Sequence, residues 1–182
     1  MADPIEEKRA GSSQEAVPRL LADAMLGSLA RWLRILGFDV HYDPQLDDAA
    51  LVGRALAEDR VILTSDTRLI RRRRARNHLL VRSGTLEEQL RQVLEELALQ
   101  VLPHRVLGRC LRCNEPLVEL PAEEARRHVP PYVARTQERF RRCPACRRLY
   151  WRATHVERMR KRLEGMGLAD LPGRTSPGQD RR

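Results

Sequence analysis

Two sets of residues in this chain have types and spacings that could do chemistry. The first is its four cysteines. Cys110 and Cys113 form one C-x2-C, Cys143 and Cys146 another, and 29 residues separate the pairs. Two such knuckles can bring four thiolates into a tetrahedron, the donor set of a structural zinc. A four-thiolate site is closed, so it would fold the chain and leave no open position for catalysis. Two disulfides, a redox C-x2-C or an iron–sulfur cluster are the competing readings. No apolar secretory segment opens the sequence, so we expect a cytoplasmic protein with reduced thiols, which favours the metal.

The second set is acidic. Asp23 ends the apolar run "RLLAD", Asp48 opens the helical stretch "DDAALVGRALAED", and Asp66 follows the apolar run "RVILTS". Each could be a helix cap or one side of an ion pair and nothing more. Together they have another reading. In a parallel sheet all strand C-termini lie on one edge, and helix N-termini face the same edge. Asp23, Asp48 and Asp66 could therefore converge. Three close carboxylates repel unless a cation neutralises them or one stays protonated. Hard oxygen ligands select Mg²⁺ or Mn²⁺. Such ions activate water and steady the charge on a phosphodiester under attack.

The elements needed to position these acids are visible in the periodicity. Residues 19–23, 38–42, 60–65 and 78–83 read as strands. Leu26, Leu29, Leu33 and Leu36 recur at helical spacing, and Gly37 fits a helix stop. Residues 47–59 read as a second helix, and "DTRLIRRRRAR" starts a short third one. Thr85 with Glu88 makes a capping box for a long fourth. Strands alternating with helices imply a parallel sheet covered on both faces, and Pro103 ends this body.

The expected organisation is a tail over 1–17, an α/β domain over 18–103, a cysteine domain over 104–166 and a second tail over 167–182. The cysteine domain is too poor in large apolar residues to fold on a core alone. The insert between its knuckles must loop out or form a small helix.

Charge separates the two parts further. The chain carries a net charge of +9, almost all of it from arginine. Residues 17–102 are near balance, with 13 Arg against 12 Asp/Glu, whereas residues 103–182 carry 19 Lys/Arg against 9 Asp/Glu. An excess of arginine suits bidentate phosphate contacts and a nucleic-acid partner. Candidate contacts are Arg31 and Arg34 on the first helix, Arg68, Arg71 and Arg72 beside Asp66, and Arg147 and Arg148 at the second knuckle. Tyr150 and Trp151 are either base-stacking platforms or the knuckles' own small core. No apolar run is long enough to span a membrane, and none of the five histidines takes a role.

The stretches "LADAMLGSLARWLRILGFDVHY", "DDAAL" and "RVILTSDTRLI", followed by the two knuckles and "YWRATHVERM", resemble the Mut-seven C-terminal ribonuclease family. That resemblance implies a PIN-like nuclease domain followed by a zinc ribbon. It implies a ribonuclease dependent on Mg²⁺ or Mn²⁺, acting on RNA, with single strands the expected substrate. By motif, Asp23, Asp48 and Asp66 match the first three acids of a PIN-like site, Asp47 replacing Asp48 if the register slips by one. A full PIN site usually offers a fourth acid, and no residue of this sequence matches it. Other PIN nucleases are toxins held by an antitoxin, but nothing in the sequence indicates a protein partner. The alternative on the same fold is a non-catalytic module that binds RNA or protein.

Overall fold

The computed structural model describes residues 17–82, 84–151 and, of the segment beyond, Met159, Lys161, Leu163 and Gly165. Residues 1–16 of the expected tail over 1–17, the whole expected tail over 167–182 and most of "YWRATHVERM" lie outside the described residues.

Four short strands form the first sheet: β1 (Arg19–Ala22), β2 (Val40–Tyr42), β3 (Arg60–Thr64) and β4 (His78–Leu80). They pair in the order β2-β1-β3-β4, every pair parallel. Side chains alternate across a strand, and here both faces are apolar. Leu20, Ala22, Val61 and Leu63 enter one core with helices α1 (Gly27–Ile35) and α4 (Leu86–Glu96). Leu21 and Ile62 enter the other with Leu51, Val52 and Ala55 of α2 (Asp48–Ala57) and Leu69 of α3 (Thr67–Ile70). This is the helix-covered parallel sheet that the alternating periodicity predicts.

The chain leaves β1 toward β2, and α2 then carries it back across β1 to β3. The strand order therefore reverses direction between β1 and β3, and the crevice at their carboxyl ends is where such sheets bind ligands. Local signals set the helix boundaries. Asp47 caps α2, its side chain accepting from the Ala50 N–H. Thr85 and Glu88 close the capping box of α4. Gly37 ends α1 with φ of +96°, and a Cβ there would stand 2.5 Å from the Arg105 carbonyl oxygen, so only glycine fits.

The second sheet is antiparallel, in the order β5 (Val118–Leu120), β6 (Phe140–Arg142), β7 (Leu149–Trp151). The insert between the knuckles folds as two short helices, α5 (Ala122–Arg126) and α6 (Pro131–Thr136). Leu120, Ala125 and Phe140 make its small core, and Leu149 and Trp151 pack against them. Trp151 thus belongs to this core and is not presented as an open stacking platform. Among the described residues, no helix is long and apolar enough to cross a membrane.

Candidate metal centre and acidic edge

Both cysteine knuckles fold in the same way. The Cys110 N–H donates to the Glu115 carbonyl and the Asn114 N–H to the Cys110 carbonyl. In the second knuckle Cys143 and Arg148, then Arg147 and Cys143, repeat these bonds. Asn114 and Arg147 hold corresponding left-handed conformations, with φ of 68° and 57°. Asparagine tolerates that region well and arginine less so.

The four sulfurs gather at the junction. Cys113 Sγ is 3.3 Å from both Cys110 Sγ and Cys143 Sγ, and Cys110 Sγ is 3.6 Å from Cys146 Sγ. A disulfide requires about 2.05 Å, and all four cysteines are free. A tetrahedral zinc with bonds of about 2.3 Å spaces its sulfurs by a little under 4 Å, so the cluster fits the ion.

The surroundings push two of the thiols in opposite directions. Burial would raise the Cys110 thiol, but the Cys113 and Arg112 N–H groups and the Tyr150 hydroxyl outweigh it and bring it down to about 6. Burial and the neighbouring thiols push Cys113 the other way. Tyr150 therefore supports the knuckle. Its hydroxyl lies 3.1 Å from Cys110 Sγ and accepts from the Leu111 N–H at 3.1 Å.

The ribbon is fastened to the parallel sheet through polar side chains. Arg34 is only 4% exposed. Its Nη1 donates to the carbonyls of Leu111 and Arg112, and its Nε to that of Val40. The expectation that Arg34 lies on an RNA-facing surface is therefore corrected. The carbonyls at the first knuckle draw its guanidinium inward, while Arg31 stays exposed. Asn114 donates to Asp39 Oδ1 and accepts from the Val40 N–H. Arg60, also buried, bonds Asp39, Glu58 and the Leu20 carbonyl. Burial would raise the Asp39 carboxyl, but Arg60, Asn114 and Arg109 hold it below the ordinary carboxylate range. Periodicity alone reveals none of this network. Its one local hint is an asparagine directly after the second cysteine, where the knuckle turns left-handed.

The acids expected to act together stand as follows. Asp23 follows β1, and its N–H donates to the Leu63 carbonyl of β3 at 2.9 Å. Its Oδ1 accepts from the Ala24 N–H at 2.6 Å, capping a short 3-10 turn. Its Oδ2 accepts from the hydroxyl of Thr64, the last residue of β3, at 2.6 Å. Thr64 is fully buried, and its Oγ1 accepts from the Asp66 N–H at 3.0 Å. Asp66 Oδ1 caps α3 through the Arg68 N–H, and its Oδ2 bonds no described group. One hydroxyl thus couples the first and third acids across the topological switch point.

Asp48, in the first turn of α2, is freed from capping by Asp47. It pairs instead with Arg72, Oδ2 to Nη2 at 2.7 Å. Among the described residues, the cysteines are the one group of three or more ligand residues whose donor atoms all lie within 4.8 Å of one another. The three carboxylates do not form such a group. Arg68, Arg71, Arg72, Arg147 and Arg148 are all exposed. Thr64 is legible as the one uncharged polar residue of β3, directly after the apolar run of Val61, Ile62 and Leu63, a signal that periodicity-based reading passes over.

A helix-covered parallel sheet tied to a four-cysteine ribbon is the architecture these residues define. Residues 18–163 match the family described as the Mut7-C RNAse domain, and the chain belongs to that family. The membership points to a ribonuclease-type function with RNA as substrate or partner. No curated protein and no solved structure matches the chain.

Proposed function

We propose that this chain is a divalent-metal-dependent ribonuclease that hydrolyses RNA phosphodiesters at the edge formed by Asp23, Asp48 and Asp66. The observation that carries this reading is the Thr64 hydroxyl between the Asp23 carboxylate and the Asp66 amide, at the carboxyl ends of β1 and β3. The donors at this edge are all oxygen, one of them the unbonded Asp66 Oδ2, and such a set fits Mg²⁺ or Mn²⁺. Bound at that edge, the ion would supply an activated water and neutralise charge on the phosphate.

The chain's own residues do the rest. Asp23 and Asp66 are pre-positioned by Thr64 and by their own capping bonds. Asp48 holds Arg72 beside the same edge, where a guanidinium can meet a phosphate oxygen. Arg68 and Arg71 add positive charge next to it. In this reading residues 18–103 are the PIN-like catalytic unit and residues 104–166 the zinc ribbon that helps hold single-stranded RNA. Four thiolates on one zinc fit the reducing cytoplasm.

The test is cleavage of single-stranded RNA by the zinc-loaded chain across a Mg²⁺ and Mn²⁺ series. Asp66→Asn should lower the rate about 100-fold or more, with the fold unchanged by circular dichroism. Cleavage that persists in Asp66→Asn, or in EDTA under conditions that retain the zinc, refutes the reading.

One arrangement favours a second reading. Asp23 and Asp66 both serve as caps, and the donor atoms of the three carboxylates do not all lie within 4.8 Å of one another. A non-catalytic RNA-binding module would have these properties. It would bind RNA in a salt-dependent way without turnover, and losing Arg147 and Arg148 would weaken it more than losing Asp23.

A further inference from the structure

A second set of cationic side chains converges far from the acidic edge. Where the amino end of the parallel sheet meets the ribbon, the structure forms a cleft of about 570 Å³. Arg19 at the start of β1, Arg105 and Arg109 of the connecting segment, His104 beside them and Arg141 of β6 line it. Two acids share the lining, Asp39 and Glu119, and Glu58 pairs with Arg19 from outside it. Asp39 is already engaged by Arg60 and Asn114, so the lining keeps an excess of positive charge.

The arginines divide by what their donors do. Arg109 is fixed by the carbonyls of Gly37 and Asn114, and Arg19 by the Glu58 carbonyl and by Asp39. These two shape the wall. Arg141 uses one nitrogen on the Leu107 carbonyl, at a long 3.4 Å, and keeps its other donors. Arg105 and His104 are exposed, and their side chains bond no described residue. Two separate parts of the chain thus aim unspent donors into one concave space of ligand size. Phe38 and Leu117 give it an apolar floor.

We propose that this cleft is a phosphate subsite that grips the RNA backbone away from the bond being cut. The proposal rests on RNA being the substrate and adds where the strand is held. The guanidinium fork matches phosphate oxygens, and Arg105 and Arg141 are the two that can present it. β1 runs from Arg19 at the cleft to Asp23 at the acidic edge, four residues on. At a strand rise of about 3.3 Å per residue that is about 13 Å, a span of a few nucleotides. The cleft therefore governs how tightly RNA is held and leaves the hydrolytic step itself alone.

The experiment uses the full zinc-loaded chain carrying Asp66→Asn, without added divalent ions, so that binding is read whether or not the chain cleaves. A fluorescent single-stranded oligoribonucleotide is titrated over a salt series. Arg105→Ala with Arg141→Ala should weaken binding about tenfold. It should also flatten the slope of log K against log salt by about 0.7 for each phosphate no longer neutralised. Arg105→Ala alone, at an exposed position that costs no folding, should give about half that slope change. Arg127→Ala with Arg139→Ala, exposed arginines outside the cleft, is the comparison.

Affinity and slope unchanged in the cleft variants overturn the proposal, and so does an equal loss in the comparison pair, which would mean a diffuse field. Inorganic phosphate and a mononucleotide, followed by the His104 ring NMR signal, separate the sources of the anion. Displacement of either by the oligoribonucleotide supports an RNA subsite. Binding of the small anion that the oligoribonucleotide fails to displace overturns it.

Discussion

The two candidate centres of this molecule are built in opposite ways. In the ribbon, ligand spacing is written locally. A C-x2-C closes a turn by itself, and two turns meet through a three-stranded sheet. The sulfurs already stand 3.3–3.6 Å apart. At the parallel sheet the acids come from β1, α2 and β3, and only the fold brings them to one edge. There the linkage is a single threonine hydroxyl, and Asp48 is drawn to Arg72. A short repeated motif pre-forms its site, whereas acids brought to one edge by topology each take a local partner.

Metal removal should break this contrast most strongly. Structural zinc contributes on the order of 10 kcal/mol to small ribbons at neutral pH. Stripping the ion, or Cys143→Ser, should abolish amide protection over residues 118–151 in hydrogen exchange, while the buried β3 amides keep theirs. Loss of both sheets together would mean that neither half stands alone.

The fastening between the halves comes next. Arg34→Ala removes donors from the Val40, Leu111 and Arg112 carbonyls, and should cost about 3 kcal/mol in chemical denaturation. Arg31→Ala, one turn earlier and exposed, should cost under about 0.5 kcal/mol.

At the acidic edge, Thr64→Val keeps the volume and deletes the hydroxyl that serves both Asp23 and Asp66. It should destabilise by about 2 kcal/mol and lower RNA cleavage. Thr64→Ser should restore cleavage, because it keeps the bridging oxygen. A Thr64→Val chain that cleaves normally would show that the bridge does not order the acids.

The smallest effect is in pH. The Asp39 carboxyl sits below its unfolded value of about 4. Its contribution is therefore fully present above that value and is lost as pH falls through the lower, folded one. Asp39→Asn should flatten the acid limb of a stability-versus-pH curve below about pH 4 and leave the neutral region with a constant offset.

How much of this is legible in sequence follows from range. The four parallel strands, the Thr85–Glu88 capping box, the stop at Gly37 and the cysteine spacing all obey rules that act over a few residues. Asp47 and Asp48 are ambiguous in sequence because either can cap a helix, and the structure assigns the cap to Asp47. Arg34 reads wrongly in sequence because two of its three acceptors lie 77 and 78 residues away. Periodicity places it beside Arg31 and gives no hint that a knuckle covers that side of α1. Thr64 escapes notice because its bridging role exists only once β1 and β3 are neighbours.

The Asn114–Arg34 pair has one more effect. β2 is an outer strand of the parallel sheet, and Leu20 of β1 donates to the Asp39 carbonyl on its inner side. The outward-facing amide and carbonyl of Val40 would be an open invitation to a strand from another molecule. Asn114 takes the amide and Arg34 the carbonyl. The first cysteine turn is thus a hem sewn along the sheet's raw border, and a chain that loses its metal is one whose seam can open to stick to its neighbours.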